Sequence, residues 1–511
     1  MDITKLDAHD QKSSTFSFFL LGSCSSQPDT AKSIYKFYNK HLLFDLDSEA
    51  ERTSCPIQGT IPSWLSGTLL RNGPAKFTVG GKNRVCWFDG LAMLHAFEFT
   101  PEKVLYSNRF LRCERYYLMV KEKSLDFSGF AQDPCPVLFK NQVSHFIPKE
   151  MQNIESASVT IQDYGDMMVA LTETPLPVVF DPKTLATLGN FEYKDELPKS
   201  RIWESAHAQH DLASGETFNY LIEFGPQSSY VIWKMQDHSK MREVVNKIPV
   251  DLPAYMHSFA LTEHYQILVE FPFVVNPMDI ATHAKPFIFN YKWQPERGTN
   301  FYVTERATGK LIAKIKGDPF FSFHHVNAYD KDGEIFIDIV TEANADAIGV
   351  IAETITDEKR ILAAREKKLE RFTIDMPTQT LSKEIIFDNP LEMPRVRADR
   401  VAHEYQYCYA IDAEFPNSTN DIRPLYKIDV NAKTSQKWEK AGCFPGEPIF
   451  APRPGGQDED DGVVLSVVLD LVTHTSFLLI LDARTMQEVA RAEAPYAIPV
   501  GLHGFWNRSS H

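Results

Sequence analysis

At 511 residues the chain is longer than a single hydrophobic core usually serves, so it calls for several domains or a ring of repeated units. Its 43% hydrophobic and 24% charged residues are ordinary for a globular protein, while 35 Phe and 19 Tyr supply rings enough for a large core or an apolar tunnel. A net charge of −15 excludes a nucleic-acid surface, which needs a basic face to displace phosphate counterions.

Residues 1–50 read as an N-terminal tail followed by a short amphipathic helix over 31–43. The apolar run from Phe16 to Leu21 ends in Leu-Gly-Ser-Cys24, the shape of a lipoprotein cleavage box. Asp2, Asp7 and Asp10 against only Lys5 and Lys12 give its leader the wrong charge for export. The seven cysteines (Cys24, Cys55, Cys86, Cys113, Cys135, Cys408, Cys443) are odd in number and include no C-x-x-C pair. They point away from a disulfide frame or zinc knuckle and towards a reducing compartment. No apolar stretch reaches the roughly 20 residues of a membrane-spanning helix. The expected location is the cytoplasm, free or on a membrane surface.

Residues 51–511 read as one domain of β texture. Strand-like runs begin with Ile57-Gln-Gly-Thr-Ile61 and Gly67-Thr-Leu-Leu-Arg71, broken by Pro62 and Asn72-Gly-Pro74, and continue almost to the end. A weak repeat lies in the turns. Asp181-Pro-Lys-Thr184, Glu305-Arg-Ala-Thr308, Asp375-Met-Pro-Thr378 and Asp482-Ala-Arg-Thr485 each sit between two apolar runs, with looser versions at Thr100, Asp237 and Asp429. Acid and Thr side chains recur there because they can bond the turn's own backbone. Seven such turns predict an all-β, seven-bladed β-propeller with a helical and loop cap. Their spacing of 53 to 81 positions exceeds the roughly 40 to 50 of typical blades, so insertions are expected. The charged stretch 357–372 is read as one, helical, with Ile361, Leu362 and Leu369 on one side although Arg365 interrupts that face.

Four histidines fall 26, 20, 19 and 21 positions after their preceding turns: His207, His257, His324 and His503. Groups in common phase on a propeller can meet at its axis, and four neutral imidazoles there suit Zn, Cu, Fe or Ni. Glu392 and Glu447, 17 and 18 positions after turns that no such histidine follows, approach the same axis. With Glu173 in Leu-Thr-Glu-Thr they are candidates to accept the second ring N–H of metal-bound imidazoles. His325 and His210 compete for the ligand role, but phase and context favour His324 and His207. His95, His264 and His403 are taken as structural. The plainer alternative, hydrogen-bonded core histidines, fits any one of them alone better than four in register.

The sequence resembles the carotenoid cleavage oxygenase family over nearly its whole length from about residue 55. The resemblance is carried by Gly59-Thr-Ile-Pro-Ser-Trp-Leu-Ser-Gly-Thr-Leu-Leu-Arg-Asn-Gly-Pro74, Trp87-Phe-Asp-Gly-Leu-Ala-Met-Leu-His95, the four histidine contexts, Glu447-Pro-Ile-Phe450 and Glu459-Asp-Asp-Gly-Val-Val-Leu-Ser466. It implies an axial Fe(II) held by His207, His257, His324 and His503, with Glu173, Glu392 and Glu447 paired to His257, His324 and His503. The implied reaction is cleavage of a double bond of a carotenoid or apocarotenoid by O₂, giving two carbonyl products such as retinal. It further implies docking on a membrane surface, for which 127–139 with Asp133-Pro-Cys135, Phe271-Pro-Phe-Val-Val275 and Pro286-Phe-Ile-Phe289 are candidates, the equal alternative being that these rings fill the cap above the propeller, and Cys135 could carry an acyl chain. The animal β-carotene oxygenase and retinoid isomerase branch is the best match. A retinyl-ester isomerohydrolase would share the iron site without cleaving. A stilbene-cleaving oxygenase is disfavoured by Thr172, which stands where that branch would place a Lys. A non-catalytic propeller scaffold is the alternative outside enzymes.

Overall fold

The computed structural model describes residues 30–80, 83–101, 103–124, 129–131, 156–165, 167–198, 202–281, 285–414 and 416–508. Candidate segment 127–139, apart from 129–131, and Cys135 lie outside them.

Among the described residues, seven antiparallel sheets of four to six strands form seven blades of a β-propeller. In chain order they span 50–110 (blade 1), 160–190 (blade 2), 202–250 (blade 3), 260–317 (blade 4), 325–387 (blade 5), 391–438 (blade 6) and 443–493 (blade 7). The ends of the chain close the ring. Ile57–Gly59 adds a strand to blade 7, Ile57 opposite Ala492, and Gly504–Arg508 adds one to blade 1, Gly504 opposite Arg71. Middle strands bury both faces. Tyr220, Leu221 and Ile222 are consecutive and all fully buried, and because successive residues point to opposite faces, each blade is packed on both sides.

All seven turn motifs join strands within a blade, and the expected turn chemistry is present. Asp181 Oδ1 accepts from the Lys183 and Thr184 backbone N–H groups, Asp482 Oδ1 from those of Arg484 and Thr485, and Asp375 Oδ1 from that of Thr378. Asp237 departs from the rule, accepting a bond from His210 Nε2 at 3.0 Å instead.

The structure corrects two expectations. Stretch 357–372 is helical only over Glu358–Ala363, where the Asp357 carboxylate caps the Lys359 and Arg360 N–H groups. From Lys367 the chain becomes the third strand of blade 5, Lys367–Asp375, paired along its whole length with Glu334–Glu342. The β-branched and aromatic run Phe372-Thr373-Ile374 and that pairing outweigh the helix-favouring charged residues before it. Phe271, Val274 and Val275, proposed for membrane docking, are instead buried among Tyr255, Phe320 and Phe321 in the interior. Asp346–Ile351 and Glu358–Ala363 belong to the cap on this side, and the helix Thr30–His41 is tied to it by Tyr35 Oη donating to Ile355 O at 2.8 Å.

Candidate metal centre

Three of the phased histidines lie just before a blade's first strand or the ring-closing strand, and His207 lies between two short strands that open blade 3. His207 sits between Ile202–Glu204 and Gln209–Asp211, His257 precedes Ala260–Leu261, His324 precedes His325–Lys331, and His503 precedes Gly504–Arg508. These four meet: one ring nitrogen from each lies within 4.8 Å of the others. The His207 and His257 Nε2 atoms are 2.9 Å apart. The rings of His324 and His503 stand nearly perpendicular to each other, at 77°, so that edges rather than faces point inward.

Three of the four imidazoles are oriented from behind by a glutamate. His257 Nδ1 lies 2.6 Å from Glu173 Oε1, His324 Nδ1 lies 2.5 Å from Glu392 Oε2, and His503 Nδ1 lies 2.6 Å from Glu447 Oε1. A carboxylate at Nδ1 accepts that N–H and leaves the Nε2 lone pair facing the centre. Among the described residues His207 has no such acid; its backbone N–H donates to Ser205 Oγ at 3.1 Å while that hydroxyl donates to His257 O.

The carboxylates are themselves held, each differently. Glu447 is fully buried between Arg71 Nη1 and Arg395 Nε, both at 2.7 Å, and also accepts the Gly504 N–H at 2.7 Å. Glu392 accepts from Lys367 Nζ at 2.7 Å and from the Met393 N–H at 2.8 Å. Glu173 accepts from Tyr255 Oη at 2.7 Å and from Trp203 Nε1 at 3.3 Å. Burial alone would raise the Glu392 and Glu447 carboxyls. Lys367 and His324 beside the first, and Arg395, His503 and Arg71 beside the second, outweigh burial and hold both below the usual range. Three of the imidazoles are held below their ordinary value, His324 by burial against the pull of Glu392. Burial lowers His207 well below its ordinary value, with His257, His503 and His324 adding repulsion, and burial brings His503 to about 3 against the pull of Glu447.

The competing histidines lie elsewhere. His325 turns away and lies 2.8 Å from Ser258 Oγ through Nδ1; His210 meets Asp237; His95 meets Tyr106 Oη at 2.8 Å; His264 pairs with Asp330; and His403 stands 3.7 Å from Asp211. One side of the centre is aromatic. The Phe88 ring lies parallel to His257, 6.4 Å between centroids, and Phe323 stands edge-on to it at 5.3 Å, with Phe130 against Phe88 and Tyr255. Sequence reasoning did not single out Arg71, Arg395, Lys367, Tyr255 or Trp203. Arg71 lies inside a quoted motif and Tyr255 inside the His257 context Tyr-Met-His-Ser-Phe, and these were the signals available.

Fold and site together define a β-propeller with a cluster of four histidines that could hold a metal ion. The family model described as RPE65, retinal pigment epithelial membrane protein, matches residues 43–508, and the chain belongs to this RPE65/carotenoid oxygenase family. It is 31% identical to human beta,beta-carotene 15,15'-dioxygenase over 90% of this chain and 92% of that protein. It is 30% identical to the chloroplastic carotenoid cleavage dioxygenase 8 of Arabidopsis thaliana, over 88% of this chain and 82% of that one. A cobalt-substituted structure of the Synechocystis apocarotenoid oxygenase matches with a TM-score of 0.80 at 26% identity, covering 93% of this chain and 99% of that one.

Proposed function

We propose that this protein is a non-haem Fe(II) dioxygenase that cleaves one double bond of a carotenoid or apocarotenoid with O₂, giving two carbonyl products, retinal among them if the bond is central. The observation that carries this reading is the convergence of four imidazoles, three backed by glutamates, in a chain whose relatives bear carotenoid dioxygenase names. His324 tests the fit to a metal. Its Nδ1 is committed to Glu392, and its Nε2 is buried with no hydrogen-bond partner. An orphaned polar atom costs about 1–3 kcal/mol, which coordination would remove. Four neutral nitrogens suit iron among the borderline metals.

When bound, the metal supplies an open position at which O₂ is taken up and activated. The chain's own groups do the rest. Glu173, Glu392 and Glu447 retain the Nδ1 protons of His257, His324 and His503, so the Nε2 atoms keep their aim. Phe88, Phe130 and Phe323 exclude water beside the centre and hold the polyene with one double bond in reach, the positioning that replaces a bimolecular encounter. Placing one atom of O₂ on each carbon of the double bond gives two carbonyls with no net proton transfer, so no general acid is required.

Among the described residues no helix is long and apolar enough to cross a membrane. A polyene substrate resides in bilayers, and we place the docking surface at Phe287, Phe289 and the exposed Met278 on Pro277–Ala281, beside the basic Lys285 and Lys292. Purified protein should contain about one iron per chain, lost in His257→Ala, and should convert β-carotene, a xanthophyll or an apocarotenal to aldehydes identifiable by mass. Folded protein that takes up no metal, an isomerised retinoid as sole product, or cleavage of a hydroxystilbene alone would each overturn the reading.

A further inference from the structure

We propose that Lys367 is a positioning residue of the metal centre, fixing Glu392 and through it the His324 imidazole. The inference rests on the reading that the four histidines hold a metal. The three glutamates behind the histidines are not equivalent. Glu447 is clamped by two guanidiniums and Glu173 by the neutral donors of Tyr255 and Trp203. Among the described residues Glu392 has a single cation, Lys367, whose Nζ is 2.7 Å from Oε1 while Oε2 faces His324 Nδ1.

Lys367 is placed by its strand and not by its length. It opens Lys367–Asp375 in blade 5 directly opposite Glu342, and its side chain is 8% exposed with Nζ 2.8 Å from Glu342 Oε1. One ammonium therefore bridges carboxylates from two blades. A lysine head is a hydrated point charge on a flexible stem, so two acids and a ring are needed to immobilise it. The ring is Phe323, whose centroid is 5.5 Å from Nζ and which stands edge-on to His257. Without the ammonium, Glu392 and Glu342 would face each other as buried like charges. The Glu392 carboxylate would then turn from His324, and the imidazole would lose the bond that sets its direction. The adjacent Lys368 shows the contrast: it is 44% exposed and pairs only with Asp388.

The test measures Co²⁺ affinity and the visible absorption of bound Co²⁺ in protein stripped of metal, alongside thermal stability. Lys367→Met is expected to weaken Co²⁺ binding by about 10- to 100-fold and to change the absorption of the bound ion. Lys367→Arg should recover most of both. Arg371→Met is the control, since Arg371 lies on the same strand in an equally buried pair with Asp338 that touches no glutamate of the centre. It should lower stability and leave Co²⁺ affinity at the wild-type value. In a Glu392→Gln background Lys367→Met should add no further loss, because both act through one contact. If the single variant does not fold, the double change Glu342→Leu with Lys367→Met removes the stranded charge as well and carries the same expectation. Wild-type affinity and spectrum in a folded Lys367 variant, or losses that add in full to Glu392→Gln, overturn the proposal. Unchanged Co²⁺ binding in His257→Ala would instead overturn the metal reading beneath it.

Discussion

Burial makes His95 a proton sensor outside the metal centre. Its ring is enclosed in blade 1 with Nδ1 against Tyr106 Oη, and burial together with the Arg71 guanidinium lowers it from 6.5 to about 3. The folded state therefore refuses a proton that the unfolded chain accepts below pH 6.5. Stability should fall as pH drops through that value, and His95 should account for about 2 kcal/mol of the loss by pH 5. Denaturant melts at pH 7 and 5 check this: His95→Phe should flatten the pH dependence by that amount, whatever its effect at pH 7. An unchanged slope would show the ring to be protonated in the fold. At the same scale, the differing partners of Glu173, Glu392 and Glu447 explain how one geometric motif, carboxylate behind imidazole, is built three ways. Each blade supplies whichever donors its own packing brings near.

The blade is the element that repeats, and its outer turn carries strain as well as hydrogen bonds. In the turn after Thr299–Glu305, Gly309 has φ of +69°, and a Cβ there would lie 2.1 Å from Val245 O of the neighbouring blade. Glycine is required twice over, for the left-handed backbone and for the close approach. Gly309→Ala should cost about 1–3 kcal/mol in a chemical melt while leaving metal affinity intact, because the turn is remote from the histidines. Loss of metal with unchanged stability would mean that blade 4 is coupled to the centre in a way its packing does not show. These turns were readable in the sequence, since Asp and Thr are chosen there by local backbone chemistry. Stretch 357–372 was not, because its pairing partner lies in Glu334–Glu342 and no local property of the stretch records that.

At the scale of the ring, closure depends on strands from both ends of the chain. Gly504–Arg508 pairs with Gly67–Lys76, and its first N–H is bound by Glu447, so the strand that closes blade 1 also finishes the His503 support. Removing residues 504–511 keeps all four histidines but opens the ring and exposes an edge strand. The truncated protein should lose its single cooperative unfolding transition, self-associate, and bind Co²⁺ far more weakly than the full chain. Light scattering and Co²⁺ titration read both, and a monomeric truncation with full affinity would show that the centre does not need the closed ring.

The sequence by itself determined the seven turns, the four histidine positions and the three glutamates that the fold sets behind His257, His324 and His503. The turns, the histidines, Glu392 and Glu447 are written in residue type and spacing, which a repeating unit carries into space without change, while Glu173 and the pairing of the three acids with their histidines were legible only through the family resemblance. The tertiary structure alone decided which cations hold those glutamates. Arg71, Arg395 and Lys367 reach the centre from separate blades. A lysine beside a second lysine reads locally as surface, and only the stacking of blades 5 and 6 removes water from it and turns it into a counter-ion. The same stacking buries Phe271, Val274 and Val275, whose apolar run could equally have faced a membrane until neighbouring strands covered it.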